Sequence, residues 1–133
     1  MKEFHLQIAT PDGEIFDGSA EALLVRTDNG DVEILSGHAD YFATVGIGIA
    51  KLTYDSKTRV ASAAGGFLSV KNNEVKLVCT TFEYSDDIDI ERAEKAKLYA
   101  EEAIRRASDD KTLRLAKAKL ARALNRINVA ELK

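Results

Sequence analysis

Glu83-Tyr84-Ser85-Asp86-Asp87-Ile88-Asp89-Ile90-Glu91-Arg92-Ala93 is the stretch on which the fold turns, because the composition changes across it. All eight glycines, the single proline and eight of the nine aromatic residues stand before Ser85. From Ile90 onward there is neither glycine nor proline, and alanine, lysine, arginine, leucine and glutamate dominate, which is helix-forming composition. Glycine and proline punctuate turns between strands, so their disappearance marks a boundary. The sequence predicts an α+β chain: an antiparallel β-sandwich over residues 1–84, then an antiparallel two-helix hairpin over residues 85–133.

On the N-terminal side of that boundary, short apolar-alternating runs are separated by turn residues. Phe4, Leu6 and Ile8 share one face, and Pro11-Asp12-Gly13 turns the chain into Ile15 to Asp17. Further strands are expected at Ala22 to Thr27, Val32 to Leu35, Ile49 to Tyr54, Arg59 to Ala63, Phe67 to Val70 and Val75 to Thr80. Asp28-Asn29-Gly30, Asp55-Ser56-Lys57, Gly65-Gly66 and Asn72-Asn73-Glu74 supply the turns, at a spacing typical of a sandwich or barrel.

On the C-terminal side, Ser108-Asp109-Asp110 interrupts the helical composition with loop and N-cap residues. Helices are therefore expected at about Ile90 to Ala107 and about Lys111 to Asn128, with Asp89 as N-cap of the first. At 100° per residue, Ala93, Ala96, Ala100, Ala103, Ile104 and Ala107 form one stripe, and Leu113, Ala116, Leu120, Ala123, Leu124 and Ile127 form another. These stripes should face each other. A buried methyl contributes only about 0.8 kcal/mol, and helices of this length are marginal alone in water. A hairpin so weakly held is expected to dock on the sandwich, on a partner, or on each in turn, which is the physical requirement for a switch.

Charge divides along the same line. Residues 1–86 carry 7 basic and 13 acidic side chains and residues 87–133 carry 12 and 9, so −6 and +3 make up the net −3. The total argues against bulk nucleic-acid affinity. The second helix nevertheless carries Lys111, Arg114, Lys117, Lys119, Arg122 and Arg126 with no acidic residue up to Asn128, and five of the six project opposite the leucines. A solvated face normally mixes signs for i,i+4 pairing. A one-signed face implies an anionic counterpart, the alternative being cations that favour a helix C-terminus.

No apolar run approaches the roughly 20 residues of a membrane span, and Met1-Lys2-Glu3-Phe4-His5 lacks the apolar core of a signal peptide, so a cytosolic chain is expected. Cys79, the only cysteine, alternates with Val75 and Leu77 and reads as a small core side chain. His5 and His38, with one distant cysteine, make no metal-ligand spacing. No nucleophile-base order or phosphate-cradling glycine loop stands out, so a non-catalytic protein needing no cofactor is expected.

Several stretches, in order, carry a resemblance: Leu6-Gln7-Ile8-Ala9-Thr10-Pro11-Asp12-Gly13; Asn29-Gly30-Asp31-Val32-Glu33-Ile34-Leu35-Ser36-Gly37-His38-Ala39; Gly65-Gly66-Phe67-Leu68-Ser69-Val70; Ile88-Asp89-Ile90-Glu91-Arg92-Ala93; and the ending Asn125 to Lys133. Along essentially its whole length the chain resembles the epsilon subunit of bacterial-type F-type ATP synthases. That family usually has proline on either side of Gly-His-Ala, where this chain has Ser36 and Asp40, so a less rigid loop is expected.

The resemblance implies a sandwich seated on the rotor beside the gamma subunit and the ring of c subunits, with Asp31 and His38 together at the end facing that ring. It implies a hairpin that folds down on the sandwich or extends toward the alpha and beta subunits, on a complex at the cytoplasmic face of the cell membrane. It also implies ATP as a regulatory ligand. Asp89 would accept from the adenine amino group, Ile88 and Ala93 would enclose the ring with Glu83 close by, and Arg92, Arg122 and Arg126 would contact phosphates. Family members that bind ATP have another arginine where this chain has Tyr99, so weak binding is expected. The competing readings are a free-standing ATP-sensing regulator and an RNA-binding module, the latter short of stacking aromatics with only Tyr99 in the helical part.

Overall fold

The computed structural model describes residues 2–132; Met1 and Lys133, the outermost residues of the two expected segments, lie outside the described residues. The chain divides into two compact units, Met1–Tyr84 and Ser85–Lys133.

Among the described residues the first unit holds ten strands: β1 (Phe4–Thr10), β2 (Gly13–Ala20), β3 (Ala22–Thr27), β4 (Gly30–Leu35), β5 (Tyr41–Thr44), β6 (Gly48–Tyr54), β7 (Lys57–Ala64), β8 (Phe67–Lys71), β9 (Glu74–Val78) and β10 (Thr81–Tyr84). They form two five-stranded sheets, ordered β2-β1-β9-β8-β5 and β10-β7-β6-β3-β4. Period-two alternation drives the assembly. Phe4, Leu6 and Ile8 point inward from β1 and Leu23 and Val25 from β3, and with Leu52, Leu68, Val75 and Leu77 they fill the space between the sheets. These are the expected antiparallel strands, with two additions and one exception. β5 and β10 have four residues each, too short for a legible alternation. The exception is that β1 runs parallel to β9, from His5 opposite Glu74 to Ala9 opposite Val78.

Turn chemistry fixes the registers. Asp55 and Ser56 have φ of 50° and 60°, and Asn72 and Asn73 have 51° and 64°, the paired positive values of a two-residue hairpin turn whose twist matches its strands. Gly66 has φ of 95°, and a Cβ there would lie 1.8 Å from the carbonyl oxygen of Val78, so no other residue fits without moving β9.

In the second unit a 3₁₀ turn (Ser85–Asp87) leads into α1 (Ile90–Arg106) and α2 (Asp110–Glu131). Aspartates cap both helices: Asp89 accepts from the Arg92 N–H at 3.1 Å and Asp109 from the Thr112 N–H at 2.7 Å. The buried residues of the two stripes are alanines. Ala100 and Ala116 are equidistant from Ser108 in sequence, as are Ala93 and Ala123, so each pair meets at one level of an antiparallel hairpin. Leu124, expected on the inner stripe, is 40% exposed. The second helix also runs past the expected Asn128. Its last turn buries Val129 and Ala130, and the 3₁₀ turn packs against α2.

Candidate functional site

Four of the residues expected at a nucleotide site lie around the first turn of α1. Ile88 and Ala93 are buried, whereas Asp89 and Arg92 are exposed. One carboxylate oxygen of Asp89 is engaged as the helix cap, and a carboxylate can accept at its second oxygen as well. Arg122 and Arg126 stand one turn apart in the C-terminal half of α2, both half-buried. The antiparallel hairpin returns that half of α2 alongside the start of α1, so the aspartate cap, Arg92 and the two arginines occupy the same end of the second unit. Glu83 belongs to β10 in the first unit. Tyr99, at the position where an arginine would complete the set, is 77% exposed.

The basic face of α2 is graded. Lys111, Arg114, Lys117 and Lys119 are exposed, and on the same side Leu115 is 57% exposed. Cations around an apolar side chain form a surface suited to an acidic, partly apolar partner.

In the first unit the two residues expected at a rotor contact are not neighbours. Asp31 stands at the start of β4, where its carboxylate accepts from Arg26 Nε at 2.8 Å, and His38 follows the other end of that strand. Four strand residues, Val32 to Leu35, roughly 13 Å at about 3.3 Å each, separate Asp31 from the loop that carries His38. The expectation that both sit at one end is therefore corrected: a strand between them cannot be shortened. His38 lies 2.7 Å from the Ala39 carbonyl through Nδ1 and meets the Tyr41 ring edge-on.

Sequence reasoning missed what holds this loop. The Gly37 N–H donates to Asn73 Oδ1 at 2.8 Å, Asn73 Nδ2 donates to the Glu3 carbonyl at 3.1 Å and to Ser36 Oγ at 3.5 Å, and the Asn72 N–H donates to Asp40 Oδ1 at 3.2 Å. Ser36 and Asp40, standing where prolines were expected, thus tie the loop to the β8–β9 turn. Two adjacent asparagines were legible as a turn, but nothing local signals a partner 36 residues away. Equally unanticipated is the exposed pair Phe42 and Phe67, stacked with centroids 5.5 Å apart on β5 and β8.

Cys79 is buried, and desolvation pushes its thiol up to about 12, away from reactive thiolate chemistry. Among the described residues no cluster of histidine, cysteine or carboxylate side chains could hold a metal, and no helix is long and apolar enough to cross a membrane.

Residues 3–85 match the family described as ATP synthase, delta/epsilon chain, beta-sandwich domain, and residues 86–131 match its long alpha-helix domain. The chain belongs to the ATP synthase delta/epsilon chain family. Among relatives, the ATP synthase epsilon chain of Bacillus velezensis is 40% identical over 130 residues, 98% of each chain. That of Bacillus subtilis is 39% identical over the same length. A chain of the Euglena gracilis mitochondrial ATP synthase shares the fold with a TM-score of 0.82 at 22% identity, covering 98% of this chain and 82% of that one. One from the central stalk and c-ring of the Tetrahymena thermophila mitochondrial ATP synthase does so with a TM-score of 0.70 at 12% identity, covering 97% of each. For this family member, the expected α+β architecture and the relatives' length agree across both units.

Proposed function

We propose that the chain serves as the epsilon subunit of an F-type ATP synthase, a non-catalytic rotor component on the cytoplasmic face of the membrane. In this reading the sandwich docks on the gamma subunit and the c ring. The hairpin regulates ATP hydrolysis by folding down or extending toward the alpha and beta subunits. The observation that carries it is the 40% identity to an ATP synthase epsilon chain across both units. Two features of the geometry support it. Phe42, 67% exposed and stacked on Phe67, gives the sandwich an apolar contact of the kind that marks protein interfaces. The alanine-lined hairpin buries few large side chains of its own, so a partner or ligand with modest differential affinity can decide its position.

A chain truncated after Tyr84 tests the docking role: it should fold and retain gamma in a pull-down, and loss of gamma binding would place docking in the hairpin instead. ATP regulation is tested by calorimetric titration of wild type, Arg126→Ala and Tyr99→Arg. A ligand at 100 times its dissociation constant stabilises the binding state by about 2.7 kcal/mol, comparable to a few buried methyls. Affinity should rank Tyr99→Arg above wild type above Arg126→Ala. Equal affinities, or no binding at millimolar ATP, would leave Asp89 as a helix cap only.

A further inference from the structure

We propose that His5 is a proton-operated staple that, as an imidazolium, ties Asp17 on β2 to Glu74 on β9 and through Asn73 sets how firmly the Gly37–His38 loop is held. His5 Nδ1 lies 2.5 Å from Glu74 Oε2, and Nε2 lies 2.6 Å from Asp17 Oδ1. Ionised carboxylates only accept, and a neutral imidazole has one N–H. A neutral His5 would turn a lone pair toward one of the two carboxylates at contact distance. Only the doubly protonated ring donates to both.

The position gives this pair of bonds leverage. β1 is flanked by β2 and β9, and His5 opposite Glu74 is the first pair of the parallel seam. On the strands beside β1 the charged groups are Asp17 and Glu14 on β2 and Glu74 and Lys76 on β9, with Lys71 opposite Glu74 on β8 and Lys2 and Glu3 ahead of β1. Next to Glu74 is Asn73, whose carbonyl accepts the His5 N–H at 3.2 Å and whose side chain holds Gly37 and Glu3. Loss of the proton frees Glu74 toward Lys71 and removes one anchor of the turn from which the loop hangs. The two carboxylates raise the His5 pKa, the bond to Glu74 most and that to Asp17 next. For a raised pKa the added stability is fully present below the unfolded value and is lost as pH rises through the folded one.

The test follows the His5 ring and the Gly37 N–H by NMR across pH, in a His38→Gln background so that one histidine titrates. The His5 midpoint should exceed that of the same chain unfolded in urea, and the Gly37 N–H shift should change with the same midpoint. E74Q and D17N should each lower the midpoint, E74Q by more, and H5Q should abolish the Gly37 inflection. A His5 midpoint no higher than in urea, or a Gly37 resonance that stays flat while His5 titrates, would overturn the proposal. If H5Q does not fold, the E74Q and D17N titrations decide by the same criteria.

Discussion

Ala116 and Ala121 are both interior residues of α2, one buried and one exposed, and replacing each by glycine separates the hairpin seam from helix propensity. Glycine in a helix interior costs about 1 kcal/mol relative to alanine wherever it stands. At Ala116 the change also removes a buried methyl contributing about 0.8 kcal/mol, so Ala116→Gly should cost about 1.8 kcal/mol and Ala121→Gly about 1. At roughly 1.4 kcal/mol per tenfold, these correspond to about 20-fold and about 5-fold increases in the opening constant of the hairpin. Amide hydrogen exchange reads that constant directly, and the helices should open as a unit while protection in β1, β8 and β9 is unchanged. The roughly fourfold ratio between the variants is the quantity that matters. Equal exchange in both would mean that the seam does not run through Ala116. Loss of protection in the sandwich strands would mean that the two units do not open separately.

Gly66→Ala places a Cβ 1.8 Å from the Val78 carbonyl at a φ of 95°. The left-handed backbone alone costs about 1–2 kcal/mol, so thermal unfolding should fall by at least several degrees, and an unchanged melting temperature would contradict the described approach of β8 to β9. Asp109 predicts a pH dependence confined to the second unit. The Thr112 N–H, then its hydroxyl, hold the Asp109 carboxyl below its ordinary value. For a depressed pKa the cap's contribution is present above that ordinary value and lost as pH falls through the depressed one. Helical circular dichroism should decline over that acidic window, and less so in Asp109→Asn, which keeps an accepting oxygen without the charge.

What could be read from the sequence was whatever is local. Alternation at Phe4, Leu6 and Ile8 declares a strand and its inner face, and Asp89 and Asp109 declare helix starts, because in each case the cause and the effect lie within four residues. The α2 stripe was legible in outline only. Its apolar positions span more of the circumference than one seam can cover, so Leu124 and Leu115 remain exposed while Val129 is buried. The parallel seam and the Asn73 clasp were not legible at all, since they join residues about 70 and 36 positions apart. Placing Asp31 and His38 at one end failed for a related reason. Seven positions in sequence suggest neighbours, but the first four of those steps, from Asp31 to Leu35, are extended strand.

The pairing of β1 with β9 has a consequence for the order in which the chain matures. Once made, β1 can meet β2 almost at once, but its other edge stays unpaired until residues 74–78 have been made. At about 5–20 residues per second that wait lasts several seconds, and contacts of such high sequence separation slow folding further. The nascent β1–β2 hairpin is therefore an open sheet edge with an apolar side formed by Phe4, Leu6 and Ile8, the state in which intermolecular pairing competes with folding. The second unit, built from contacts close in sequence, needs no such delay. Aggregation during synthesis should thus be governed by the sequence of β1, even though in the finished molecule that strand is among the best enclosed.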